Sequence, residues 1–144
     1  MNKTDILDVA ARKLAPYMFL FGFYLVSYGH LSPGGGFQGG VVIASGIILL
    51  AMARDVTLAE SVIPFRALST TESLAFVLLL AAGFSGAVVG TGFLGDVFAG
   101  TGDGNATDRG PHAGFILLLN LLIGIKVGAG VSLICIYFFR ETDK

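Results

Sequence analysis

The chain has 144 residues, 54% of them hydrophobic and 13% charged, with a net charge of -1 and a mean hydropathy of +0.81. A soluble domain carries about 25% charged residues, so this composition excludes a water-soluble globule and assigns most of the chain to lipid. The near-zero charge gives no basis for nucleic-acid binding, and the length leaves no room for a separate soluble catalytic unit.

A spanning helix needs about 20 residues. Ile6, Leu7, Ala10 and Leu14 share one helical face beside Arg12 and Lys13, which predicts a short interfacial helix leading into the membrane. The first span is expected at 14–30, with Pro16 in its first turn. This apolar run lacks a clear small-residue cleavage site and leads straight into more membrane sequence, so it reads as a helix rather than a signal peptide. The second span is expected at 37–53, the third at 73–93 and the fourth at 113–139. Ser69 and Glu72 match a capping box that would open the third. Cys135, alone of its kind, lies within the fourth and reads as a buried structural thiol.

Basic residues set the orientation. Lys3, Arg12 and Lys13 precede the first span, Arg54 and Arg66 separate the second from the third, and Arg140 and Lys144 follow the fourth. Only Arg109 falls in the other two loops. The positive-inside rule then places both termini in the cytoplasm. The expected fold is an all-α protein of the cell membrane with four transmembrane helices.

The most informative stretch runs from His30 to Gly40. Three glycines follow Pro33 and two more enter the next helix, where glycine is costly. From 37 to 54 is roughly 25 Å of helix, short of a hydrocarbon core of about 30 Å. Residues 33–40 are therefore expected to dip below the outer surface as a re-entrant-like loop of irregular backbone, covered by protein or lining a wet cavity. The blander reading is a tight interhelical turn with close packing through Gly36 and Gly40.

The octapeptide Pro33-Gly34-Gly35-Gly36-Phe37-Gln38-Gly39-Gly40, with His30 upstream, resembles the MnhB family, the B-type subunits of the Mrp-type multisubunit sodium/proton antiporters. Length, four hydrophobic segments and a Gly-rich last helix extend the likeness over the whole chain. The resemblance implies a small subunit among the other membrane subunits of a large complex that exchanges sodium ions for protons, and no cofactor. Related modules occur in archaeal membrane-bound hydrogenases and sulfur-reducing complexes. The family motif carries over to Pro33, Gly34, Gly35, Gly36, Phe37, Gly39 and Gly40, without a proven ion ligand.

Lys126 lies near the middle of the fourth span, where a cation costs at least about 2.5–3.5 kcal/mol. It is a candidate for a proton relay or for a fixed ion pair at a subunit interface. Asn120, Gly124, Gly128 and Ser132 form a small ridge at i+4 spacing. That ridge suits packing against the third helix, whose Ala82, Gly86 and Gly90 are similarly spaced. Lys126 would then point out of the bundle, towards an acidic group on a neighbouring subunit. Glu72 is a proton-path candidate or simply the capping residue. Gln38 and Asn120 are further ion-path or interface candidates.

His30 and His112, near the same outer face, could ligate a haem between helices or hydrogen-bond backbone at an interface. Asp96, Asp103, Asn105 and Asp108 make the outer loop acidic, able to gather cations or merely solvated. Residues 103–108 lack the glutamate that closes a calcium loop. Three functions follow: a subunit supporting assembly and lining an ion path, a purely structural interface subunit, or a haem-binding electron carrier. No nucleotide loop, catalytic carboxylate pair or Cys/His metal cluster supports an enzyme.

Overall fold

The computed structural model describes residues 3–29, 31, 35–53, 64–90, 92–94 and 113–142. They form four helices: α1 (Lys3–Ser27), α2 (Gly35–Ala53), α3 (Phe65–Val88) and α4 (Ala113–Thr142). Each contains a stretch long and apolar enough to cross a membrane: Ile6–Ser27, Gly35–Ala53, Arg66–Val88 and Gly114–Glu141.

Several boundaries differ from the sequence expectation, each for a local reason. The interfacial segment and the first span are one continuous helix with Pro16 inside it. Proline removes one backbone donor there, but Arg12 pairs with Asp8 one turn back at 2.8 Å and clamps the turn before it. The helix ends at Ser27 rather than at 30; the Gly29 N–H donates to the Val26 carbonyl at 3.3 Å as the chain turns.

The third helix begins at Phe65, two turns before the expected start. Pro64 is its cap, at φ -65° and ψ 132°, with no side-chain capping bond. The Pro64 carbonyl accepts from the Ala67 and Leu68 N–H groups at 2.8 and 3.3 Å. Ser69 and Glu72 therefore lie inside α3 and form no capping box, which removes the capping explanation for Glu72. At its other end α3 stops at Val88, not at 93. Gly90 and Gly92 take positive φ of 85° and 99°, the left-handed geometry that ends helices. Phe93 then folds back onto Phe84 with ring centroids 5.6 Å apart, and the Leu94 N–H donates to the Gly83 carbonyl at 3.0 Å.

α2 packs between α1 and α4, and α3 lies along the far side of α4, giving the spatial order α1–α2–α4–α3 with α1 only brushing α4. Neighbours α1 and α2 are antiparallel, α2 and α4 parallel, and α4 and α3 antiparallel. A small core of Ala51, Leu68, Ala129, Leu133 and Ile136 closes the end at which the chain enters and leaves. Ser45, Ser85 and Ser132 donate their hydroxyls to carbonyls of their own helices at 2.7–2.9 Å, so these groups carry no orphan polarity into lipid. Tyr17, Leu20, Phe23, Ile134 and Phe138 face outward, as lipid or partner helices require. A shallow apolar groove of about 220 Å³, floored by α2 and α4, includes Phe23, Ile43, Ile47, Leu68 and Ile125 in its lining.

Candidate functional site

The motif glycines are helical. Gly35, Gly36, Gly39 and Gly40 form the first turns of α2 and all four are buried, which corrects the expectation of irregular backbone through residue 40. Helix suits this stretch because each missing side chain admits a neighbouring backbone, and the contacts offset the propensity cost of glycine. Pro33, Gly34 and His30 lie outside the described residues.

Two i, i+4 pairs of glycines face two different helices. A Cβ on Gly35 would collide with the Gly29 Cα, and one on Gly39 would stand 2.7 Å from the Gly22 carbonyl oxygen; this pair seats α1. A Cβ on Gly36 would stand 2.5 Å from the Asn120 carbonyl oxygen, and one on Gly40 would stand 2.6 Å from that of Gly124; this pair seats α4. Gly36 and Gly40 thus pack as the blander sequence reading held. Phe37 and Gln38, between the pairs, are exposed on the remaining face of α2. Asn120 is half-buried at the junction, and a Cβ on Gly29 would stand 3.2 Å from its side-chain amide.

The ridge of Asn120, Gly124, Gly128 and Ser132 accordingly packs on α2, not on the third helix. α3 covers a different face of α4, including Ala129, Leu133 and Ile136. This overturns the expected position of Lys126. The residue does turn away from the ridge, but that direction leads to α3. Its Nζ stands 3.7 Å from Oε1 of Glu72 and 5.5 Å from the centre of the Phe76 ring. The pair lies within this chain.

Depth reckoned from helix ends misled, because the ends are not level. α3 starts early, so Glu72 stands roughly 10 Å along it. α4 continues to Thr142, beyond the bilayer edge assumed for it. Glu72 lies beside Gly130, where a Cβ would be 3.5 Å from Oε1, and Lys126 is one turn away. Two long side chains bridge that distance. At 3.7 Å the contact is an ion pair rather than a short hydrogen bond. The side chains of Lys126 and Glu72 remain 34% and 37% exposed, and neither lines the apolar groove.

Residues 6–133 match the family model described as a domain related to the MnhB subunit of Na+/H+ antiporter. The chain belongs to the MnhB family. It is 34% identical over 93 residues to the B-type Na(+)/H(+) antiporter subunit of Bacillus subtilis, covering 65% of this chain and 64% of that protein. Against the like-named protein of Alkalihalophilus pseudofirmus it is 35% identical over 101 residues, covering 68% of each. An uncharacterized protein of Methanocaldococcus jannaschii is 33% identical over 133 residues, 90% of this chain but 50% of that protein. The chain thus spans about two thirds or less of the length of these relatives. Family and helices together make it a multi-pass membrane protein.

Within this MnhB fold, Lys126 and Glu72 meet, Asn120 joins the glycine junction, and Gln38 stands apart from both. His112, like His30, and the acidic residues of 96–108 lie outside the described residues. Sequence reasoning missed Phe76, although its i+4 spacing from Glu72 puts both on one face. It also missed Gly22 and Gly29, whose seven-residue spacing marks one face of α1.

Proposed function

We propose that this chain is a membrane subunit of a multisubunit Na+/H+ antiporter, oriented with both termini in the cytoplasm. It supports assembly and places one charged pair beside the path of the transported ions. The family match over residues 6–133 carries this reading. Two features of the fold support it. The glycine junction holds three helices at backbone contact, a rigid mount for α4. The ion pair of Lys126 with Glu72 joins α4, on that mount, to α3. A charge kept within the membrane is expensive and marks function by default. Gln38 and Asn120 belong to surfaces that meet neighbouring subunits or the junction. The names of the Bacillus and Alkalihalophilus relatives favour a stand-alone antiporter as the host; the genes that neighbour this one would distinguish it from a redox-driven complex.

The test is removal and restoration. Everted membrane vesicles from cells lacking this chain should show no sodium-driven proton movement, and expression of the wild-type chain should restore it. Undiminished antiport in its absence would refute the proposal.

A further inference from the structure

The surroundings of Glu72 discriminate between the two ions of such a complex; the inference rests on the antiporter reading above. A hard metal cation takes several oxygen ligands. Around Glu72 the described residues supply one carboxylate, and the Lys126 ammonium stands 3.7 Å from its Oε1, repelling any second cation. Among the described residues no three His, Cys, Asp or Glu side chains cluster to hold a metal. A proton, by contrast, needs a single acceptor atom.

We infer that Glu72 and Lys126 form a proton-exchange site, with Phe76 as its third member. With Glu72 ionised, the ammonium and carboxylate pair and their net charge is zero. One proton delivered to Oε1 from the partner-facing side makes the carboxyl neutral, and the net charge becomes +1. The ammonium then loses its anion but keeps the Phe76 ring, whose centre is 5.5 Å from Nζ, a distance at which a ring attracts a cation. Release of the proton to water restores the ion pair. Each state thus has a partner for Lys126 within this chain. The two side chains are 34% and 37% exposed on the surface of this chain, the side that lipid or a neighbouring subunit covers, so a neighbour completes the proton's way in.

Few other titratable groups bear on the pair. α2 carries none between Gly35 and Ala53. On α3 the nearest is Arg66, almost two turns before Glu72; on α4 they are Cys135, Tyr137, Arg140 and Glu141, all more than two turns beyond Lys126. α1, across α2, holds Asp8, Arg12 and Lys13 near its start and Tyr17, Tyr24 and Tyr28 further along. Among the described residues, no charged side chain other than its partner pairs with Lys126 or Glu72.

The experiment measures sodium-driven proton movement over a pH series, in vesicles holding the complete complex. Glu72→Gln should lower antiport at least about tenfold. Lys126→Ala should change the shape of the pH profile, because the carboxylate then exchanges its proton without the ammonium that faces it at 3.7 Å. The KM for sodium should not change in either. Assembled variants whose pH profiles superimpose on wild type, or whose only change is in the sodium KM, would overturn the inference. Should both variants fail to assemble, Phe76→Leu decides, since it keeps both charges. Loss confined to the acid limb supports the site, and a uniformly scaled or unchanged profile removes it. The two readings fail separately: antiport that needs this chain but ignores these variants refutes only the proton site.

Discussion

The two sides of α4 are held by opposite means. Towards α2 there are almost no side chains: Gly36 and Gly40 bring their helix against the carbonyls of Asn120 and Gly124. Towards α3 the contact is made by side chains, from Leu68 against Ala129 and Leu133 to the reach of Lys126 across to Glu72. Lipid gives no hydrophobic drive for helix association, so the first side gains from dispersion and geometry, and the second adds charge and adaptability. A backbone junction tolerates no insertion. A side-chain seam can rearrange.

The contrast is broken most severely at Gly36. Leucine there has no space beside the Asn120 backbone and should reduce assembled complex at least about tenfold, read by native gel electrophoresis of solubilised membranes; overpacking of this kind costs about 1–3 kcal/mol or more. Wild-type assembly of Gly36→Leu would mean that α2 and α4 can part without consequence. The seam should yield more gently. Lys126→Met and Glu72→Gln each leave one charge without its partner, whereas the double variant leaves no charge. A double-mutant cycle on thermal stability of the complex should give a favourable coupling of about 1 kcal/mol, and strict additivity would mean that the pair does not interact. The smallest effects sharpen the comparison from within. A Cβ at Gly128 would rest 3.4 Å from the Gly40 carbonyl, and at Gly114 nothing lies within 4 Å. Alanine should therefore cost a few tenths of a kcal/mol at Gly128 and nothing at Gly114, where relief of glycine's helix penalty of about 1 kcal/mol is available. Equal losses at Gly36, Gly128 and Gly114 would show that helix propensity, not contact, governs the glycines.

Much of this was legible in the residues. Long apolar runs announced four spans, and the recurrence of small residues announced close packing at Gly36 and Gly40. The i+2 offset of Lys126 from Gly124 and Gly128 correctly turned it away from the ridge. Which helix would meet which face was not legible, because Gly124 and Gly128 fit any small-residue partner and periodicity carries no address. The start of α3 was hidden by Pro64 and Arg66, which look like loop although proline is well suited to begin a helix. With that start misplaced by two turns, Glu72 fell at the membrane edge and its pairing with Lys126 was lost. The motif misled for a different reason: glycine's poor helix propensity describes an isolated helix, and here neighbouring backbones occupy the space.

The order α1–α2–α4–α3 has one more consequence. Each helix packs mainly on its neighbours in that order, and α1 and α3 do not close against each other into a ring. The groove that all four helices line is apolar, so it offers water no polar column. If the proposed ion path runs beside this subunit, a neighbour has to complete it. A copy of this subunit without partners is then expected to conduct no ions. Were such copies to accumulate in the membrane, they would then leave its ion gradients intact.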